Sequence, residues 1–440
     1  MTRELWSSRY GFLMAVIGSA VGLGNVWMFP YRCARCGGAA FLIPYFIILL
    51  FVGIVGLTVE WAIGRSQRAG PIDAFIKSGM PGGKYLGWIP IINVFLIFSF
   101  YAVIEGWCIK YMVISFSGAI MDIDPGSYFG EFTSSYEPLI WLALGIGATI
   151  TINSFGVRKG IERSCRLFVP ILIGLIAILM IWSLSLPGAR EGIEFFTKPD
   201  FSKLTWDVWL NAMGQVFFSL SLVGSCMMVY GSYMRSDGDI PGGAIITAVG
   251  NTAISIMFGL MIFPAIFALS QNPAELIQGG PPLAFIALTQ IFGEMPGGQI
   301  FASAFFTLLF IAALSSDVSM LEPVTDVCID RFGMGRRKAV VLLGLLAFLV
   351  AIPCALLPWF LDFVASTLTT MILAPIGGIL AAIALGWFIG VKRARKEVET
   401  GSRIRVPLWG SYVKYIYPVI IGVIFVLGLL SIFGIFEATW

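Results

Sequence analysis

The chain contains no histidine. That removes the commonest general base and the commonest metal ligand at a stroke. Charge is scarce as well: only 12% of the 440 residues are Asp, Glu, Lys or Arg, and the balance of 28 basic to 25 acidic residues leaves a net charge of +3. No GxxxxGK[ST] string occurs, which argues against a nucleotide-driven pump. The seven cysteines are scattered. Only Cys33 and Cys36 stand close, as CxxC, and without a second pair or a histidine they read as small helix residues rather than a metal or redox centre. An enzyme would need a nucleophile with its base, or a metal set, and neither can be assembled from what remains. Nothing in the pattern suggests a nucleic-acid partner.

What the chain has instead is apolar length. It is 58% hydrophobic, with a mean hydropathy of +0.90, values that belong to a polytopic membrane protein. Runs of about 20 apolar residues suffice to cross a bilayer. On that basis eleven spans are expected, near 9–34, 38–65, 84–116, 137–155, 161–184, 208–234, 239–270, 296–332, 337–355, 359–391 and 409–437. Basic residues concentrate in one set of connections (Arg3, Arg9, Arg65, Arg68, Arg158, Lys159, Arg235, Arg337, Lys338, Lys392, Arg393 and others). The acids Asp122, Asp124, Glu131 and Glu137 crowd a loop without a base. The positive-inside rule then places the N-terminus in the cytoplasm, and an odd span count places the C-terminus outside, in a multi-pass protein of the plasma (inner) membrane.

The string GSAVGLGN at 18–25 is the most informative in the chain. Three glycines and a serine in eight residues are poor helix material, yet they sit mid-span. A broken helix inside lipid leaves backbone groups that must be buried in protein or line a cavity. Freed carbonyls bind cations, and a half-helix N-terminus binds a carboxylate. Gly18 and Gly22 also make GxxxG, a helix-packing face, so the string alone leaves both readings open. A second polar, small-residue interruption, SLSLVGS at 219–225, falls in the sixth expected span. Paired breaks in corresponding halves are the sequence pointer to a transporter site; the halves would be 9–184 and 208–391, with 409–437 as an extra helix.

With these strings in view, the chain resembles the neurotransmitter:sodium symporter family. The resemblance rests on WSSRYGF from Trp6, GSAVGLGNVW, FPY at 29–31, GGAAFLIPY at 37–45, EWAIGR at 60–65, YAVIEGW at 101–107, KGIERS at 159–164, GQVFFSLSL at 214–222 and GSYMR at 231–235, in order along nearly the whole chain. It implies an all-α LeuT-type fold of two inverted five-helix repeats plus a C-terminal helix. The implied activity is sodium-driven import of an amino acid, hydrophobic or aromatic, by alternating access. A small zwitterion such as taurine or betaine is the alternative substrate. A non-transporting solute sensor or channel on the same scaffold is the alternative class.

Carried over by position, the resemblance implies a first sodium site from Ala20, Asn25, Ser219 and Asn251, and a second from Gly18, Val21, Ala312, Ser315 and Ser316. The substrate pocket would be lined by Ser19, Ala20, Gly22, Leu23, Gly24, Ile97, Tyr101, Phe218, Ser219, Ser221, Gly224, Ser316 and Met320. Gly22 stands where monoamine-carrying relatives have aspartate, which leaves room for the substrate's own carboxylate. A chloride site is implied at Tyr45, Gln215, Ser219, Asn251 and Ser255, because Ser255 replaces the acid that many bacterial relatives carry there. The inner gate would pair Arg3 with Asp330, supported by Trp6, Ser232 and Tyr233. The outer gate departs from the pattern: Asp362 is present, but Met28 stands where its arginine partner belongs, and Arg32, one turn on, is the suggested substitute. In the second break, Gly224 stands where the family has a bulky residue, which suggests either an enlarged pocket or a rotated unwound segment. Asp317 is an ionisable group inside a span, which implies function; Glu322 is one suggested partner. Glu60 is expected to accept backbone N–H groups freed by the breaks. The stretch from Gly160 to Pro170 matches the segment where the fifth helix unwinds.

Overall fold

The computed structural model describes residues 3–270, 272–277, 279–295 and 297–433, and among them every regular element is helical. Lipid dictates this, since a helix satisfies all its own backbone groups in a solvent that offers none. The principal elements are α1 (Arg9–Ala20), α2 (Gly24–Arg35), α3 (Gly38–Gln67), α4 (Gly83–Ser117), α5 (Pro138–Ser154), α6 (Val157–Leu184), α7 (Ala189–Thr197), α8 (Trp206–Ser219), α9 (Cys226–Ser232), α10 (Ile240–Leu269), α11 (Gly298–Phe332), α12 (Arg336–Leu356), α13 (358–390), α14 (Val391–Glu399) and α15 (Trp409–Ile432).

Eight helices of the described residues are long and apolar enough to cross a membrane, and ten if each bent pair counts as one span. The pair α1–α2 turns by 59° across residues 21–23. The expected sixth span is two short helices, α8 and α9, separated by residues 220–225. Both interruptions therefore fall where the glycine- and serine-rich strings stand. The fifth span starts earlier than expected, at Val157. Gly156, at φ +85°, ends the preceding helix, and a wide π-type turn over Val157–Glu162 leads into α6; such turns cluster at functional segments. The last span is described only to Phe433. The placement of the chain end lies outside the described residues.

The long helices α4 and α11 pack along each other at the centre, and α11 is the innermost span, whereas α6 and α15 bury the least. The broken helices lean on this pair. Close approach is bought by glycine where α3 meets α9: a Cβ on Gly231 would fall 2.6 Å from the Trp61 Cα, and one on Gly64 would collide with the Met228 carbonyl. Small residues at such crossings let backbones touch in a membrane, where packing rather than water drives association. The seven cysteines are buried and unpaired; Cys33 donates to the Gly38 carbonyl at 3.2 Å, a packing role with no redox partner.

Gly231→Val should therefore overpack the α3–α9 crossing at a cost of about 1–3 kcal/mol, read as a lower midpoint of thermal unfolding in detergent. Gly422→Val, where a Cβ meets nothing within 4 Å, should leave that midpoint unchanged.

Candidate functional site

The two breaks face each other. Val21 leaves the helical region at φ −82°, ψ 107°. The main chain freed there is claimed by side chains: the Gly22 N–H donates to Asn25 Oδ1 at 3.0 Å, and the Leu23 N–H donates to the Tyr101 hydroxyl at 2.8 Å. In the second break Ser221 takes φ +54° and Gly224 φ +75°. The Gly224 N–H donates to Glu60 Oε1 at 2.9 Å, the contact expected of that buried acid. The Ser221 hydroxyl reaches the Ser19 carbonyl at 3.4 Å and ties one break to the other.

Beside them lies a polar cluster in an otherwise apolar core. Asn25 Nδ2 donates to Asn251 Oδ1 at 2.9 Å, to Ser255 Oγ at 2.7 Å and to Ser219 Oγ at 3.3 Å, and Asn251 Nδ2 donates to Ser219 Oγ at 2.6 Å. The residues expected at the first sodium site are thus brought together, and Ser255 joins them. Hard cations take oxygen ligands, and this knot of amides and hydroxyls can turn its oxygens inward. Tyr45 sits on the same knot, its hydroxyl 3.1 Å from Thr252 Oγ1. Gln215, one turn before Ser219, donates to the Gly24 carbonyl at 3.1 Å. The second expected set lies where α1 packs on α11. There the Ser315 hydroxyl donates to the Ala312 carbonyl at 3.0 Å, and Gly18 stands against α6, where a Cβ would lie 3.2 Å from Cys165 Sγ.

A cavity of about 80 Å³ opens between the breaks. Ser19, Ala20, Gly22, Gly24, Ile97, Tyr101, Phe218, Ser219, Ser221, Ser316 and Met320 all line it. Two expected residues do not. Leu23 faces an outer vestibule of about 310 Å³. Gly224 turns away from the cavity: its backbone lies so close to α13 that a Cβ would stand 2.6 Å from the Gly377 carbonyl oxygen. Gly224 thus serves backbone geometry, not pocket size, and Val223 takes the lining position. The sequence reading missed Thr369 and Thr370 on α13 and Ile421 and Ile424 on α15; the adjacent threonines in an apolar run were a readable signal, whereas the isoleucines carry none. A Cβ on Gly22 would fall 2.7 Å from Ser316 Oγ and closer still to the Tyr101 hydroxyl, so only glycine at residue 22 lets these two hydroxyls press against the main chain of the first break.

Behind that wall, the Asp317 carboxyl faces the Glu105 carboxyl of α4, and neither acid has any other polar partner. The suggested partner Glu322 is elsewhere: Arg336 binds it with two nitrogens at 2.7 and 2.8 Å.

The end that carries Arg3, expected to be the inner one, is closed by charge. Arg3 pairs with Asp330 at 2.7 Å and with Asp326 at 2.8 Å, and its Nε donates to Ser232 at 2.8 Å. Trp6 packs edge-on against Tyr230 and Tyr233, and the Tyr233 hydroxyl donates to Glu322 at 2.8 Å. Asp326, Glu322 and Arg336 extend the expected gate, one and two turns along α11 and onto α12. Burial alone would lower the Arg3 guanidinium's pKa, but Asp326, Tyr233 and Asp330 raise it above the ordinary arginine value, so Arg3 itself stays charged at any physiological pH. The outer side differs. Arg32 and Asp362 line the same vestibule, yet they form no ion pair. Arg32 is buried and donates weakly to the Asn211 carbonyl at 3.3 Å and to Gln215 Oε1 at 3.5 Å, while Asp362 accepts from Ser366 at 3.0 Å. Arg32 therefore does not stand in for the gate arginine in this conformation: α2 turns its side chain toward α8 instead of across to α13.

Two interrupted helices around a buried polar knot, with one charged closure, define a membrane transporter of solutes. The chain matches the Sodium:neurotransmitter symporter family over residues 3–122 and 132–436, and it belongs to that family. It is similar to the transporter MhsT, solved in complex with L-phenylalanine: 37% identity over 96% of this chain and 99% of that one, with a TM-score of 0.86. An uncharacterised sodium-dependent transporter of Bacillus subtilis is 34% identical over 97% of this chain and 98% of its own length. The sodium-dependent serotonin transporter of Drosophila melanogaster is 29% identical over 98% of this chain and 77% of its own. The protein is a multi-pass sodium-coupled symporter and not an enzyme.

Arg3→Ala should loosen the inner closure. Losing one side of a partly buried charge network costs about 3–5 kcal/mol. Labelling of Cys165, which lies beneath that closure, by a water-soluble maleimide from the Arg3 side should therefore rise at least tenfold, as mapped by peptide mass spectrometry.

Proposed function

We propose that the protein imports a hydrophobic or aromatic amino acid with sodium, assisted by chloride, and that the N-terminus faces the cytoplasm. The observation that carries this reading is the meeting of Asn25, Ser219 and Asn251 between the two breaks, beside a cavity walled by Ile97, Phe218, Met320 and Ile424. An apolar wall takes an apolar side chain, and the Tyr101 and Ser316 hydroxyls gathered against Gly22 meet the α-carboxylate. The carboxylate then completes the first sodium shell with Ala20, Asn25, Ser219 and Asn251, while Gly18, Val21, Ala312, Ser315 and Ser316 hold the second ion. Each sodium moving inward gains about 2.3 kcal/mol per 100 mV in addition to its concentration gradient.

Chloride follows from charge balance. The knot around Asn251 contains hydroxyls and amides but no carboxylate. A halide held by Tyr45, Gln215, Ser219, Asn251 and Ser255 supplies the negative charge that offsets a neighbouring sodium. The spans 9–184 and 208–391 act as the two inverted halves, and Arg32 swings toward Asp362 when the outer vestibule closes.

Uptake into proteoliposomes tests the proposal. Radiolabelled amino acids should accumulate only with an inward sodium gradient, and the accumulation should fall several-fold when gluconate replaces chloride on both sides. Ser255→Glu should make uptake indifferent to chloride. Uptake that ignores chloride in the unmodified protein would remove the halide while leaving sodium symport intact. Gly22→Ala should raise KM at least tenfold, because its methyl would displace the Tyr101 and Ser316 hydroxyls that meet the carboxylate; an unchanged KM would move the substrate elsewhere.

A further inference from the structure

The segment that follows α13 carries six basic residues, Lys392, Arg393, Arg395, Lys396, Arg403 and Arg405, against two acids, Glu397 and Glu399. Both acids are already engaged. Glu397 pairs at 2.7 Å with Arg65, a buried arginine of α3 that also donates to the Gly238 and Glu397 carbonyls. Glu399 accepts from Arg395 at 3.0 Å and from the Val406 N–H at 3.0 Å, and lies 3.8 Å from Arg405. Lys392, Arg393, Lys396 and Arg403 consequently have no acidic partner among the described residues, and all four are exposed. The cation surplus does not sit on a floppy tail. Gly390 at φ +88° ends α13 and redirects the chain. Ala394 and Val398, one turn apart, are buried against the body, and Arg65 staples the helix to α3.

The cations surround a hollow. Lys392, Arg395, Lys396 and Arg405, with Glu399 and Thr400, line a cavity of about 430 Å³. Exposed apolar side chains flank it: Trp387 and Phe388 at the end of α13, then Ile404 and Leu408 after α14. Lys414 lies over the Trp387 and Tyr415 rings at 5.7 and 5.3 Å, the aromatic-and-cation arrangement of a membrane–water interface. A soluble anion has no use for the apolar flank, and a nucleic acid would leave it in water. A phosphodiester headgroup with acyl chains uses both. Basic clusters directly next to a span attract anionic lipids in this way.

We propose that the elbow formed by residues 390–408 is a binding site for an anionic phospholipid of the leaflet on the Arg3 side. Lys392, Lys396, Arg395 and Arg405 hold its phosphate, and Ile404 and Leu408 meet its acyl region. The inference stands apart from the substrate and chloride readings.

The test is retention of phosphatidylglycerol relative to phosphatidylcholine by the purified full-length protein, measured by native mass spectrometry after extraction from vesicles containing equal amounts of each. The unmodified protein should retain phosphatidylglycerol preferentially. In Lys392→Gln/Lys396→Gln, two exposed side chains whose loss leaves no acid unpaired, the preference should fall by roughly fivefold for each lysine removed. Arg337→Gln/Lys338→Gln, on another basic connection, should leave it unchanged. An undiminished preference in the first variant, or an equal loss in the second, would overturn the site. So would a thermal stabilisation by millimolar inorganic phosphate, in phosphatidylcholine alone, that matches phosphatidylglycerol and disappears in the first variant, since the ligand would then be a soluble anion.

Discussion

Everything in this molecule depends on how two helices can be cut inside a bilayer without ruin. A main-chain N–H left bare in hydrocarbon costs several kcal/mol. Here three side chains take up the cut ends: Asn25 caps the Gly22 N–H, Tyr101 takes the Leu23 N–H, and Glu60 takes the Gly224 N–H. Two of the three belong to the neighbours α4 and α3, so the breaks are held open by the intact scaffold rather than by their own sequence. The same residues are therefore structural and functional at once. Tyr101 fixes the first break and walls the cavity; Asn25 caps that break and anchors the polar knot. The core at the two breaks is thus satisfied by its own side chains.

How much of this was legible in the sequence varies by residue and for physical reasons. The breaks were legible because glycine and serine in mid-span violate helix propensity in a way lipid does not forgive. The lock at Arg3, Trp6 and Asp330 was legible only because the family resemblance, anchored by the strings at 6–12 and 231–235, carries those positions over; no matching string covers Asp330. Asp326 and Arg336 were not, since surface charges near span ends are common and only their convergence on Tyr233 gives them meaning. Gly224 left two readings open, pocket space or backbone rotation, for a related reason. A glycine in a pocket-like string looks like space for a ligand, but φ +75° and the nearby Gly377 backbone show that it is space for the chain. Ile421 and Ile424 could not have been found at all: an apolar residue on a lipid-crossing helix has the same signature whether it faces a cavity or a fatty acid.

The acids deep in the core follow a different economy. Glu105 and Asp317 face one another one layer behind Tyr101 and Ser316, without a cation or a donor. Two carboxylates so placed are costly unless the geometry compensates, and the glycine at 145, whose Cβ would lie 2.9 Å from Glu105 Oε2, shows that α5 has been drawn tight against them. Ser316, next to Asp317 in sequence, lines the cavity, so only one residue separates this pair from the pocket wall.

The two ends of the permeation path are built from unlike materials, and the contrast bears on the cycle. The inner closure is a web of full charges, Arg3 and Arg336 against Asp326, Asp330 and Glu322, backed by three aromatic rings. This web anchors the N-terminal segment to α9, α11 and α12 at once. That segment is itself tied to the start of α6, where the Glu4 carboxylate accepts from the Val157 N–H and Ser7 and Arg166 meet on Glu162. The outer vestibule has no such web. Arg32 faces Gln215, whose other end donates to the Gly24 carbonyl. A donor-only guanidinium on one side and an acceptor-only carbonyl on the other leave the amide one orientation. That chain of dipoles joins α2 to α8 across the two broken helices. The Arg3 end is thus held by ion pairs, and the opposite end by hydrogen bonds to neutral acceptors.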